Sequence, residues 1–135
     1  MNSMSNHEPW KIDLIKRHPG ILGHMAAERG IECGPGWRDL LDVLCLSLDA
    51  LADLDGPQVA AMVIKEKLGT LRFQAINASP AQRGAIDLAN RLSSRICECC
   101  GRPSTPNENM GNEWSASRCR DHAQEEDPVS HRSPP

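Results

Sequence analysis

The feature that most constrains this chain is a cluster of cysteines near its C-terminal end. Four of the six cysteines and one of the five histidines fall within residues 97–122. Cys97 and Cys100 form a C-x2-C pair, and eighteen residues separate it from a C-x2-H pair, Cys119 and His122. Two such pairs supply four nitrogen and sulfur ligands, the set that tetrahedral zinc takes. The spacing therefore predicts a structural zinc site built from these four side chains.

The residues around the first pair fit a metal-binding turn. Two intervening residues let both thiols point at one ion, and Gly101 suits a turn in which backbone N–H groups face the sulfur atoms. A site closed by four protein ligands leaves no position for a substrate or a reactive water. Cys99 is the spare thiol of this triplet, and its use as a ligand in place of Cys100 stays open.

Three other uses of the cysteines compete with structural zinc. Disulfides belong to oxidising compartments, whereas the chain shows no signal-peptide pattern and no apolar run long enough for a bilayer, so a cytoplasmic location is expected. A redox C-x2-C pair usually sits where a helix begins, and here the pair follows a predicted helix. A catalytic zinc needs an open position and a base; Glu98, Glu113 and Asp121 form no recognisable signature for one.

The apolar composition limits the core that can accompany this site. A chain of 135 residues with 39% hydrophobic residues has material for one domain. Only 3% of the residues are aromatic, so aliphatic side chains must fill the core. We expect one small α+β domain over residues 1–122, with N-terminal helices and residues 97–122 as a zinc-ribbon or knuckle-like element. Residues 123–135 are polar and proline-containing, which predicts a disordered tail.

The N-terminal half has helical patterns. One or two short helical pieces are expected before residue 34, broken at Pro19 and Gly20, with a loop at residues 34–36. Residues 37–55 repeat apolar side chains at i, i+3, i+4 and i+7, which predicts an amphipathic helix that stops at residues 55–57. Its expected buried stripe consists of Trp37, Leu40, Leu41, Leu44, Leu48 and Leu51.

The next segment changes to the pattern of strands. β-branched residues and apolar alternation predict a β-hairpin from residues 59–67 and 70–76, with Gly69 supplying the positive φ of a tight turn. Ser79, Pro80 and Gln82 then form a capping-box helix start. This helix is expected to run directly into Cys97. Its predicted buried stripe consists of Ala85, Leu88, Ala89, Leu92 and Ile96.

Charge is distributed unevenly along the chain. Residues 1–56 contain five Lys/Arg and nine Asp/Glu, and residues 57–120 contain nine Lys/Arg and five Asp/Glu. Residues 121–135 contain one Lys/Arg and four Asp/Glu. The hairpin lysines and arginine are expected to form a basic ridge flanked by Glu66, which is either a partner surface or a solvated face that guards a strand edge. Arginines near the zinc can offset thiolate charge. The candidate partner-binding residues are Lys65, Lys67, Arg72, Arg102 and Arg118.

Three stretches, taken in order, resemble a family of small proteins encoded in bacteriophage and bacterial genomes. The family pattern is a Cys-Gly-x-Gly-Trp helix start, seen at residues 33–37, a Lys-Glu-Lys-x-Gly-x-Leu-Arg-Phe hairpin, seen at residues 65–73, and a terminal zinc site, seen at residues 97–122. The resemblance covers roughly residues 14–122. It implies the zinc-stapled fold and a phage-like origin, and it implies no particular activity.

The function expected from these features is that of a non-enzymatic, zinc-binding protein-interaction module. Together with the small size and the closed zinc site, the phage-like resemblance motivates the expectation that the partner is a host machine, such as a defence system, that the module modulates or inhibits. The alternative is a small zinc-containing nucleic-acid-binding protein, which the net charge of −3 and the few aromatic residues disfavour. An enzyme is disfavoured because no catalytic constellation is recognisable. The histidines expected at the surface are His7, His18, His24 and His131.

Overall fold

The computed structural model describes residues 8–27, 30–104 and Cys119. These residues form the α+β arrangement that the sequence predicts, with helices around one mixed sheet. Two short 3-10 turns, Pro35–Trp37 and Ser93–Arg95, adjoin the longer helices. The helices are α1 (Pro9–Arg17), α2 (Pro19–Ala27), α3 (Arg38–Ala50) and α4 (Pro80–Leu92), and the strands are β1 (Ile31–Glu32), β2 (Ala60–Lys67) and β3 (Thr70–Ile76).

The sheet contains the predicted hairpin and one strand that the sequence did not reveal. The strand order is β1-β2-β3, with β1 parallel to β2 and β2 antiparallel to β3. Leu68 and Gly69 both have positive φ, 53° and 85°, as a two-residue type I′ turn requires. The N–H of Gly69 also donates to Glu66 Oε2 at 2.9 Å. Strand β1 was missed because two residues are too short to show alternation.

Helix α4 covers the free edge of the sheet. The N–H of Leu71 donates to Ser93 Oγ at 2.7 Å, and the N–H of Phe73 donates to Asn90 Oδ1 at 3.2 Å. These two N–H groups belong to the edge strand β3 and point away from β2. Side chains at the C-terminal end of α4 therefore satisfy an edge that would otherwise be open to pairing with another chain.

The apolar core lies between the sheet and the helices. α2 packs on β2, and α3 packs on both α1 and α4. Helix α3 ends at Ala50, earlier than predicted, and Leu51 beyond it is 42% exposed. The N–H of Leu51 donates to Ser47 O at 2.9 Å and the N–H of Ala52 donates to Asp49 O at 3.2 Å, so the last turn tightens and ends the helix. The fully buried large side chains include Trp37, Leu14, Ile21, Leu22, Met25, Ile31, Leu41, Leu48, Ile64 and Leu71.

The predicted buried stripe of α4 is wrong in part. Leu88 and Leu92 are 65% and 43% exposed, whereas Ile86, which was not predicted, is buried. Gln82 occupies the same inward face and donates its side-chain N–H to Leu48 O at 3.0 Å. The sequence of α4 therefore contains two possible inward faces, one with Leu88 and Leu92 and one with Gln82 and Ile86. Packing on the sheet buries the second face, although it includes a polar residue. The helix also ends at Leu92, before Cys97, and a 3-10 turn continues the chain.

The capping box at the start of α4 is confirmed. Ser79 Oγ accepts the N–H of Gln82 at 3.1 Å, and the N–H of Ser79 donates to Gln82 Oε1 at 2.9 Å. We expect Ser79→Ala to lower the free energy of unfolding by about 1 kcal/mol, since one helical N–H loses its acceptor. Chemical denaturation measures this loss. Ala81→Ser, at an exposed position in the same turn, is the control, and an equal loss there would contradict a capping role.

Two buried polar side chains lie in and beside α1, and the second of them joins the N-terminal helices to α3. Lys11 is fully buried and forms an ion pair with Glu8 at 3.4 Å. His18, predicted at the surface, is instead 5% exposed, and its Nε2 lies 2.7 Å from Asp42 Oδ1. Arg17 adds two hydrogen bonds to the same carboxylate, at 3.1 and 3.2 Å. His18 is buried because Asp42 of α3 supplies a charged partner at this junction.

The Asp42 contacts predict a pH-dependent stability. The hydrogen bond from His18 is the largest of the influences that hold the pKa of Asp42 below its ordinary value of 3.8. The stabilisation is therefore present above that value and is lost as the pH falls through the lower, folded-state pKa. We expect Asp42→Asn to cost about 1–3 kcal/mol at neutral pH, and the difference from wild type to shrink in acid. Denaturation at a series of pH values tests this.

Asp39→Asn is the matched control for the Asp42 experiment. The Asp39 side chain is 89% exposed and pairs with its neighbour Arg38, and exposed pairs of this kind contribute little. If the free energy of unfolding of Asp42→Asn stays parallel to that of wild type at every pH, the Asp42 carboxylate is not the source of the pH-dependent stability.

Among the helices that the structure describes, none combines the length and the apolar composition needed to cross a bilayer.

Candidate metal centre

The first cysteine pair lies in a tight turn that immediately follows the 3-10 turn after α4. Ile96 and Pro103 pair as an antiparallel bridge, and the N–H of Cys97 donates to Arg102 O at 2.8 Å. The N–H of Gly101 donates back to Cys97 O at 2.8 Å, and Gly101 has a φ of 84°. We call residues 96–103 the knuckle. Its geometry matches the turn predicted for Gly101, which needs the left-handed conformation that glycine adopts without strain.

Three thiols converge at the knuckle. The Sγ atoms of Cys97, Cys100 and Cys119 all lie within 4.8 Å of one another, and those of Cys100 and Cys119 are 3.7 Å apart. Tetrahedral ligands at a Zn–S distance of about 2.3 Å lie about 3.8 Å apart, so this spacing suits a metal of that size. The described residues thus bring together three groups that can hold a metal ion. His122, the predicted fourth ligand, lies outside the described residues.

The structure separates Cys99 from its neighbours in the triplet. Its thiol is not part of the three-sulfur group, and its backbone N–H lies 3.4 Å from Cys97 Sγ, where it acts as a donor. Such N–H contacts are what the short C-x2-C spacing provides. The structure places Cys100, and not Cys99, beside Cys119.

The electrostatic environment favours a thiolate at Cys97. Burial opposes ionisation, but the backbone N–H groups of Cys119, Cys100 and Cys99 overcome it and hold the pKa of the Cys97 thiol below its ordinary value. At Cys100, the Arg102 N–H favours the thiolate, but burial and the two neighbouring sulfur atoms outweigh it and raise the pKa. The Cys97 thiolate is thus easier to form than an ordinary one, and a bound cation would stabilise the thiolates of this cluster further.

The knuckle rests on the segment that precedes α3. The N–H of Gly36 donates to Glu98 O at 2.7 Å, the N–H of Gly34 donates to Glu98 Oε2 at 3.2 Å, and the buried Trp37 donates its Nε1–H to Ile96 O at 2.9 Å. We call residues 34–37 the seat. A Cβ on Gly36 would collide with the carbonyl oxygen of Cys97 and lie 2.6 Å from the Gly101 nitrogen.

Sequence reasoning missed the seat. It assigned residues 34–36 only to a loop, because nothing in a single sequence pairs them with a segment about sixty positions later. The available signal was the pair of glycines directly before a tryptophan. Two glycines allow close approach of another backbone, and the tryptophan supplies a polar N–H that must find an acceptor when buried.

The other two cysteines are core residues. Burial, followed by the charge of Glu98, raises the pKa of Cys33, and burial raises the pKa of Cys45 to about 12. Both thiols therefore stay protonated near neutral pH and pack as small apolar groups. Cys33 lies in the bend that follows β1, and its side chain is 3% exposed within the core.

The basic residues of the hairpin pair differently from the predicted ridge. Arg72 lies directly opposite Lys65, whereas Lys67 lies opposite Thr70 and is diagonal to Arg72. Glu66 lies opposite the buried Leu71 and so faces the other side of the sheet from this ridge. The ridge is thus a Lys65–Arg72 pair with Lys67 beside it.

The remaining candidate residues divide between the described and masked parts of the chain. Arg102 is exposed on the knuckle and contributes its backbone oxygen to the turn. Arg118, His7 and His131 lie outside the described residues. His24 is exposed, as predicted.

No protein-family model matches this chain, and neither curated proteins nor solved structures gave a match. The resemblance to the phage and bacterial family therefore stays a prediction from the three sequence stretches.

Proposed function

We propose that the three-cysteine cluster binds one structural Zn²⁺, completed by His122, and that the domain is a non-enzymatic module that binds another protein. The observation that carries the metal assignment is the convergence of three thiols on a turn whose backbone N–H groups face sulfur. Zinc prefers thiolate and imidazole ligands in four-coordinate sites. Because Cys97 is fully buried and Cys119 nearly so, a metal bound there would staple the knuckle, with Cys100 on its exposed side.

Metal analysis of the freshly purified protein tests the zinc assignment. We expect about one zinc per chain, with Cys100→Ser losing the metal and Cys99→Ser keeping it, because only the Cys100 thiol lies in the cluster. Cys99→Ser is the matched control, one position away in the same turn. Full zinc content in Cys100→Ser, or no zinc in the wild type, would contradict the proposal.

The partner surface that we propose is the basic ridge on the hairpin. Lys65 and Arg72 are directly opposite on neighbouring strands, and like charges in that position repel each other. Glu32 of β1 lies beside Lys65, but no ion pair joins them within the described residues. An acidic partner would relieve the repulsion, so the ridge suits an acidic protein surface. In keeping with the family resemblance, the partner would be a bacterial host machine whose activity the module modulates or inhibits.

Affinity capture from a bacterial lysate tests the ridge. A protein retained by the wild type should be lost from a variant in which Lys65, Lys67 and Arg72 are all replaced by Glu. Arg83→Glu, an exposed charge reversal on α4, should retain it. Equal capture by the triple variant would move the interface elsewhere.

Nucleic acid is the second candidate, and the same like-charge pair favours it. A phosphate-binding ridge would give an affinity that falls linearly with salt on logarithmic axes, with a slope set by the number of contacts. The acidic net charge of −3 opposes this function. Salt-dependent binding of single-stranded or duplex DNA or RNA that the triple variant loses would establish nucleic acid as the ligand and displace the protein partner.

A further inference from the structure

The turn of the β-hairpin places a leucine in a conformation that leucine rarely adopts. We call residues 67–70 the tip. Leu68 has a φ of 53° and Gly69 has a φ of 85°. Glycine, asparagine and aspartate reach positive φ at low cost, whereas the Cβ of leucine is crowded by the backbone there. The first central position of a type I′ turn therefore favours a residue other than leucine.

Burial does not explain the choice of leucine either. Leu68 is 64% exposed, so most of its apolar surface remains in contact with water. Within the described residues, Asn77 is the only other non-glycine residue with positive φ, and asparagine tolerates that region. A single exposed leucine is ordinary on a protein surface, but an exposed leucine in a strained conformation is not. Leu68 is thus unfavourable in conformation and in exposure alike.

Two neighbouring side chains hold the tip in its strained conformation. The N–H of Gly69 donates to Glu66 Oε2 at 2.9 Å, and Thr70 Oγ1 donates to Lys67 O at 3.0 Å. A strained residue persists only where its surroundings fix it, and such residues cluster at functional sites. The tip presents its apolar side chain from a turn that is already ordered, which lowers the entropic cost of binding through that side chain.

The two faces of the sheet carry different charges beside the tip. The basic ridge supplies three positive charges on one face, and Glu32 is the negative charge that lies next to it on the strands. Glu66 lies on the other face, where its carboxylate accepts the hydrogen bond from the tip. The ridge face of the hairpin therefore keeps an excess of positive charge close to Leu68.

We propose that Leu68 anchors the partner interface by entering an apolar pocket whose rim carries carboxylates on the partner protein. This inference rests on the proposed function, because the basic ridge forms the charged border of the same interface. Binding energy in protein interfaces concentrates in a few anchors that fill pockets. Charged groups around such anchors set specificity and the rate of association. Leu68 supplies the anchor, and the ridge complements an acidic rim.

A lipid surface is the other occupant that fits an exposed leucine beside basic residues. Interfacial binding to a bilayer relies on a wide apolar face, whereas the tip offers a single apolar side chain. Glu32 and Glu66 also lie close to the ridge, and anionic headgroups would repel both carboxylates. A protein pocket needs only one side chain to fill it, so a protein partner is favoured.

Leu68→Asn separates the effect on binding from the effect on folding. Asparagine suits the turn, so the thermal unfolding midpoint should rise by about 2–5 °C. A leucine retained for the stability of the domain would give the opposite result. A midpoint that is unchanged or lower would overturn the argument from strain.

Binding is measured with the protein that the wild type captures from a bacterial lysate, after that protein is identified and purified. Leu68→Asn should raise the dissociation constant by at least about tenfold, and Leu68→Met should stay close to wild type because it keeps an apolar anchor. Leu54→Asn is the matched control, since Leu54 is 99% exposed on the segment that leads into β2. It should bind as the wild type does. A carbodiimide, which joins amines to carboxylates, should cross-link Lys67 to acidic residues of the partner.

The outcomes distinguish the anchor from the proposed function. Unchanged affinity of Leu68→Asn, with binding lost in the triple ridge variant, would overturn the anchor and leave the ridge as the interface. A wild type that captures no protein, or a triple variant that binds normally, would overturn the proposed interface and the anchor with it. Binding of the wild type to vesicles of phosphatidylserine and phosphatidylcholine, lost in Leu68→Asn, would assign the tip to a membrane and overturn the protein pocket.

Discussion

Replacing Cys97 by Ser is expected to release the zinc that we propose and to cause the largest loss of stability of any conservative substitution in this chain. Cys97 is fully buried, and the amide of Cys99 lies against its sulfur. Structural zinc contributes apparent binding free energy on the order of 10 kcal/mol, which is comparable to the whole stability of a small domain. The measurements are zinc content and the thermal unfolding midpoint, compared with Cys99→Ser.

Hydrogen exchange measured after the metal is chelated shows which part of the fold loses stability. Without metal, the amides of Gly36, Cys97 and Gly101 should exchange rapidly, because their hydrogen bonds join the knuckle to itself and to the seat. The amides of β2 and the middle of α3 should stay protected, since apolar packing stabilises those elements independently of the metal. Unchanged exchange in the knuckle would show that the metal does not staple it.

Gly36→Ala is expected to separate the knuckle from its seat. The new Cβ would meet backbone atoms of Cys97 and Gly101, which cannot move aside as a flexible side chain can. Separation would break the bond from Gly36 N to Glu98 O and strain the nearby contact of Trp37 with Ile96. We expect a loss of about 3 kcal/mol or more, together with weaker zinc affinity.

Gly84→Ala is the control for this experiment. Gly84 lies within α4, and a Cβ there would meet nothing within 4 Å. Alanine in an exposed helical position should stabilise the protein by roughly 0.5–1 kcal/mol. Denaturation and competitive zinc titration of both variants measure the two effects. A Gly36→Ala protein with wild-type stability and zinc affinity would contradict the role of the seat.

Local patterns predicted those elements whose cause is local. The type I′ turn depends on Gly69, and the capping box on Ser79 and Gln82, so short stretches of sequence suffice to predict both. The same holds for the knuckle turn, since the C-x2-C spacing and the positive φ of the adjacent Gly101 suffice to predict how Cys97 and Cys100 lie. Apolar periodicity likewise predicted that α3 exists, because a thirteen-residue helix repeats its pattern several times.

Other features depend on partners far away in sequence. Strand β1 exists because β2 pairs with it, and His18 is buried because Asp42 reaches it from another helix. The inward face of α4 was predicted incorrectly because the sequence contains two stripes of the same period. The contact with the sheet edge, through Asn90 and Ser93, selects between them.

The sequence by itself determined the existence of the helices, the hairpin with its turn, and the Cys97–Cys100 pair, since each follows from residue spacing over a few positions. Only the tertiary structure decided where the knuckle docks. The seat at residues 34–37 and the knuckle at residues 96–103 meet through backbone hydrogen bonds and the absence of two Cβ atoms. Backbone contacts of this kind leave almost no trace in side-chain pattern, which is the physical reason that the fold had to reveal them.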